Sequence, residues 1–100
     1  ASDFKEGMAR VCMNYSQIGE WGFVDKTGRE ITSFNYFEAH NFSEGYAAVN
    51  IGNRDIGKWG FIDKNGNTVV DCKYSDVNSY KEGMAAVCLN NKWGFIPYPD

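Results

Sequence analysis

The chain repeats itself. Glu-Gly recurs at residues 6, 44 and 82, two intervals of 38, and Trp-Gly-Phe recurs at 21, 59 and 93, intervals of 38 and 34. Between the first two copies, Phe4/Phe42, Ala9/Ala47, Val11/Val49, Gly19/Gly57, Asp25/Asp63, Lys26/Lys64, Gly28/Gly66 and Tyr36/Tyr74 match at the same offset. Agreement along a whole unit of this length marks an array in which each unit cannot bury its apolar face alone and stacks on its neighbour. The units are 4–41, 42–79 and a partial 80–98, within one domain spanning residues 1–100. The third copy is four residues shorter between its two landmarks.

Each unit reads as short strands joined by hairpins. Met84–Leu89 and Trp93–Ile96 are rich in β-formers, bounded by turn residues and too short for ordinary helices. Asp25-Lys26-Thr27-Gly28 and Asp63-Lys64-Asn65-Gly66 predict tight turns, with Asp bonding backbone two residues on and Gly accepting positive φ. Period two puts Trp59 and Phe61 on one face and Gly60 and Ile62 on the other. The glycine beside each tryptophan predicts a close approach to the backbone, with a neighbouring unit's side chain as the expected occupant. The fold class expected is all-β: tandem antiparallel hairpin repeats, about eight strands, with Trp21, Trp59 and Trp93 at equivalent buried positions.

Tyr80-Lys81-Glu82-Gly83-Met84-Ala85-Ala86-Val87 and Lys92-Trp93-Gly94-Phe95-Ile96 resemble the opening and the core of the WG (KWG) β-repeat family, a likeness that runs from Phe4 to Ile96. The resemblance implies a short superhelical or twisted stack of antiparallel β units, common in bacterial proteins and associated with interaction. Two departures stand out. Phe34 and Cys72 replace the family's usual proline, and Ile96-Pro97-Tyr98-Pro99 replaces the expected Asp-Lys-Gly turn. Because proline cannot donate to a ladder, the end is expected to act as an edge-blunting cap.

Composition narrows the function. Ten basic and 13 acidic side chains are interspersed, so the clustered cations of a nucleic-acid groove are missing and no direct nucleic-acid binding is expected. No apolar run approaches the length of a membrane span. Cys12, Cys72 and Cys88 are odd in number and lack C-x-x-C spacing, and His40 is the sole histidine. These features predict reduced thiols, no metal, no cofactor and a reducing, cytoplasmic setting. The chain opens on Ala1 rather than methionine, which leaves room for a trimmed leader and keeps secretion open.

Catalysis is not expected. A reaction needs one asymmetric constellation, whereas Glu6, Glu44 and Glu82 recur and are expected to bond local backbone at their turns. Asp25 and Asp63 occupy equivalent turns rather than a carboxylate pair, and His40, aligned with Asn78, reads as a polar surface residue. The stretch from Gly52 to Gly57 lacks the Lys-Ser/Thr ending of a phosphate loop.

Function is then sought where copies differ. Val11 to Trp21 and Val49 to Trp59 each span ten positions, against six from Val87 to Trp93. Loops longer than folding needs commonly carry binding. The candidate partner-binding residues are therefore Tyr15, Ile18, Arg54, Asp55 and Ile56 in the long hairpins, with Phe34 and Phe37 as additional aromatics of the first copy. The expectation is a protein-binding module, in a specialised form a small inhibitor that occludes a bacterial enzyme. The alternatives are a carbohydrate or cell-envelope ligand repeat, which exposed tryptophan faces would favour, and a fragment of a longer array.

Overall fold

The computed structural model describes residues 7–12, 21–32, 36–52 and 57–99. Those residues form nine strands and no helix: β1 Met8–Cys12, β2 Trp21–Asp25, β3 Glu38–Ala39, β4 Ala47–Asn50, β5 Trp59–Ile62, β6 Thr68–Tyr74, β7 Asp76–Val77, β8 Met84–Leu89 and β9 Lys92–Pro97. They pair antiparallel in three sheets, ordered β1-β2, β3-β4-β5-β6 and β7-β8-β9. The stack measures 37 × 29 × 19 Å.

The sheets are phased ahead of the sequence repeat. Strand β3 precedes the second Glu-Gly turn yet pairs with β4 beyond it, Glu38 opposite Asn50, and β7 does the same with β8, Asp76 opposite Cys88. The backbone bonds that secure this exchange repeat from copy to copy. The N–H groups of Phe37 and His40 donate to Asn50 and Ala48, and those of Ser75 and Asn78 donate to Cys88 and Ala86.

The second and third Glu-Gly pairs are two-residue hairpin turns. Glu44 and Gly45 have φ of 54° and 88°, Glu82 and Gly83 have 53° and 84°, and paired bonds join Ser43 to Tyr46 and Lys81 to Met84. Positive φ at both central positions is the turn whose twist matches that of the strands it joins. The short third hairpin uses the same solution, with Asn90 and Asn91 at φ 54° and 64°. The Asp turns also form as expected: Asp25 Oδ1 accepts from Thr27 and Arg29, and Asp63 Oδ1 accepts from Asn65 and Asn67.

Two cores lie between units. The first joins Met8 and Phe23 of the opening unit to Ala39, Phe42, Ala47, Val49 and Ile62. The second joins Ala48, Trp59 and Phe61 to Val77, Tyr80, Ala85 and Val87. Alternation thus works as expected: Ala47, Val49 and Ile62 face the preceding unit, while Ala48, Trp59 and Phe61 face the following one. Aromatic edge contacts mark both junctions, Phe23 to Phe42 at 5.0 Å and Phe61 to Tyr80 at 4.8 Å.

Three expectations are corrected here. The space beside Gly60 is filled by its own unit's third strand, not by a neighbour's side chain. Irregular register in β6 brings the Val70 carbonyl and Cys72 Sγ to where a Cβ would stand. His40 is half-buried rather than a surface residue, its ring 4.8 Å from that of Trp59. The tryptophans are not equally buried: Trp59 is 6% exposed, Trp21 is half-buried under the Arg10 guanidinium, and Trp93 is 55% exposed.

Candidate binding face

The junction between the second and third units shows what the outward face of a unit is built to hold. The Glu44 carboxylate accepts hydrogen bonds from the backbone N–H groups of Glu82 at 2.7 Å and Gly83 at 3.0 Å, in the next unit's turn. Sequence reasoning assigned this glutamate to its own turn; the bonds instead run across the junction, because the left-handed pair aims two adjacent N–H groups outward as an anion cradle. The Tyr98 hydroxyl donates to the same carboxylate at 2.6 Å. These bonds, Tyr98 first, hold the Glu44 carboxyl below its usual range. Tyr46, Tyr80 and Tyr98 cluster around the contact, with centroids 5.1 to 5.7 Å apart. Tyr80 donates its hydroxyl to the Pro97 carbonyl, and burial pushes its phenol up to about 12. The terminal segment therefore latches back onto this junction rather than only blunting an edge.

The third unit displays the same outward face without a cover. Trp93 and Phe95 occupy the positions of Trp59 and Phe61, and Phe95 is 71% exposed where Phe61 is fully buried. A groove beside them is lined by Asn78, Lys81, Glu82, Met84, Ala86 and Phe95. No strand follows β9 in its sheet, so its outer edge has no ladder partner among the described residues. Gly94 marks the difference: a Cβ there would meet nothing within 4 Å, whereas one at Gly60 would strike β6.

Of the residues singled out from sequence, Tyr15, Ile18, Phe34, Arg54, Asp55 and Ile56 lie outside the described residues. Phe37 is described: it is half-buried, and its N–H donates to the Asn50 carbonyl at 2.7 Å, which places it at the entry to β3. Sequence reasoning missed Asn50. This buried side chain closes the base of the second long hairpin, its Oδ1 accepting from Gly52 at 2.8 Å and Lys58 at 2.9 Å. The available signal was a polar residue at the repeat position that Cys12 and Cys88 fill elsewhere.

The cysteines form no disulfide, and burial pushes the Cys72 thiol up rather than activating it. Among the described residues no group of three or more His, Cys, Asp or Glu side chains is placed to hold a metal ion. No helix among them is long and apolar enough to cross a membrane.

The profile of the WG containing repeat matches residues 1–15, 21–54 and 59–93, three hits covering most of the chain. This chain belongs to the WG containing repeat family. Comparison with curated proteins and with solved structures finds no match. In WG terms, the second unit contributes its Trp-Gly-Phe strand to the junction with the third. Trp59 and Phe61 face the third unit, and Gly60 admits the bulged third strand. The third WG unit has neither a following unit nor a third strand of its own among the described residues.

Proposed function

We propose that this chain is a non-catalytic protein-binding module whose main contact surface is the outward face of its last unit: Met84, Trp93, Phe95 and the open edge of β9. One observation carries the reading, the exposure of Trp93 and Phe95 at positions where the preceding unit buries the equivalent pair. A contiguous apolar face with a polar rim is the usual mark of a protein contact, and tryptophan is among the residues that dominate binding energy. The open edge adds main-chain donors and acceptors that an extended partner segment can use. Tyr15, Ile18, Arg54, Asp55 and Ile56 in the long hairpins, with Phe34 and Phe37, form a second contact region in this proposal. Such a module alters its partner by covering surface, so inhibition by occlusion is its simplest mode of action.

The test is recovery of a partner from source lysate with tagged wild type, Phe95→Asp and a variant with Ile51–Lys58 shortened to the Leu89–Lys92 pattern, each in high salt. Loss of an anchor of this kind costs on the order of 1 to 3 kcal/mol, roughly 5- to 150-fold in affinity. Equal capture by all three refutes the proposal. A second reading, stacking of a sugar ring, is favoured by the exposed Trp93 alone. Quenching of tryptophan fluorescence by soluble glycans, lost in Trp93→Ala, would separate it from protein binding.

A further inference from the structure

We propose that the partner of this face is a second copy of the chain, docked head to tail, with the opening strand pair of one copy seated on the last unit of the other. The inference rests on the binding-face reading above and names its occupant.

The junction within the chain supplies the template. Ala48, Trp59 and Phe61 are covered by the opening of the third unit, including Ala85 and Val87, with the Glu82-Gly83 turn on the Glu44 carboxylate. The first unit opens with the same residues. Lys-Glu-Gly-Met-Ala stands at 5–9 and again at 81–85, followed in both by valine two positions on. Gly7 also has the left-handed backbone of Gly45 and Gly83, at φ 83°. The first unit thus offers, by sequence and by the backbone at Gly7, the element that the second unit already binds.

Among the described residues, both ends of the stack are correspondingly uncovered. On the receiving end, Phe95 and Met84 are exposed, and among the described residues no group bonds the Glu82 carboxylate, the repeat equivalent of Glu44. On the offering end, Val11 and Val24 are half-buried, although their equivalents Val49 and Ile62 are fully buried. Seating Val11 and Val24 over Ala86 and Phe95 would cover apolar surface on both copies. It would also bring the Gly7 turn to the Glu82 carboxylate. Such a contact uses two different surfaces, so it does not close on itself and each added copy leaves the same pair of ends.

Within one chain the equivalent contact benefits from an effective concentration in the millimolar range, so between chains it should appear only at high protein concentration. In sedimentation velocity the weight-average mass of wild type should rise at least twofold between roughly 10 μM and 1 mM, continuing past the dimer. Phe95→Asp changes a residue that is mostly solvated and should fold normally but stay monomeric alone. A fluorescently labelled sample of that variant should still join excess wild type, because its opening unit is intact, and should shorten the assemblies it enters. A wild-type chain that remains monomeric throughout the range overturns the inference. So does labelled Phe95→Asp that fails to join wild type, since that behaviour belongs to a symmetric contact between two terminal faces. If wild type is monomeric but lysate capture still depends on Phe95, the self-association is wrong and the binding face stands. If capture is also indifferent to Phe95, both readings fall.

Discussion

Replacing one glycine by alanine at two equivalent positions should give effects of opposite sign. Gly60 and Gly94 each come directly after the tryptophan of their unit, and both lie in strands paired to the opening strand, opposite Val49 and Val87. At Gly60 the added methyl would meet the Val70 carbonyl, Cys72 Sγ and the Asp71 backbone carbon, two of them backbone atoms with no rotamer to give. The third strand must shift, and overpacking of this kind costs about 1 to 3 kcal/mol or more. At Gly94 the methyl meets nothing within 4 Å, and φ there is not in the left-handed region. There the main effect is on the unfolded chain, whose reduced freedom stabilises the fold by about 0.4 to 1 kcal/mol. The two variants should therefore differ by roughly 1.4 to 4 kcal/mol, which at the 1 to 3 kcal/mol/M typical of urea unfolding separates their midpoints by about 0.5 to 4 M. Gly94→Ala should unfold at or above the wild-type midpoint and Gly60→Ala well below it. Equal midpoints would show that the bulged approach of β6 is not what the glycine accommodates.

Trp59→Ala should lose about 3 to 5 kcal/mol, while Trp93→Ala, already more than half solvated, should lose under about 2 kcal/mol; thermal melts of the pair test this ranking. Asn50→Ala leaves the Gly52 and Lys58 N–H groups without their acceptor and should cost about 1 to 3 kcal/mol, with faster amide exchange at both. His40 is held below its usual value of 6.5, first by burial and then by the Arg10 charge. The unfolded chain therefore takes up the proton first. This contribution is complete above about pH 6.5 and is lost as pH falls below it. Melting temperature should drop from pH 7 toward pH 5 in wild type, and less so in His40→Asn, which carries the residue of the equivalent position Asn78.

The repeat, the strands and the Asp turns were legible because each rests on local chemistry: alternation, positive φ at glycine, and a carboxylate bonding its own loop. The Glu44 bond was not legible, since its partners are 38 and 39 residues away and only the stacking brings them together. Trp93 and Trp59 look identical along the chain. Their difference in burial depends on whether another unit is stacked over each of them. Strands β3 and β7, two residues each, carry no periodic signal, and only pairing across the Glu-Gly turn defines them. The long-hairpin residues stand out by length alone, which marks where extra chain lies, not what it touches. Phe37, the one candidate among the described residues, shows its backbone rather than its ring engaged in a bond to Asn50.

The loan of β3 and β7 to the following sheet bears on how such a chain can be lengthened or cut. Thr68 to Val77 is one extended stretch that serves two sheets, changing partners at Ser75. A cassette excised at the Glu-Gly turns would carry away sheets that are each one strand short and leave the donor strand behind. One running from Glu38 to Ser75 moves the four strands β3, β4, β5 and β6 as a finished sheet. Tandem insertion of that segment is the natural route to a longer array, and the same seam is where a shortened chain should retain its cooperativity.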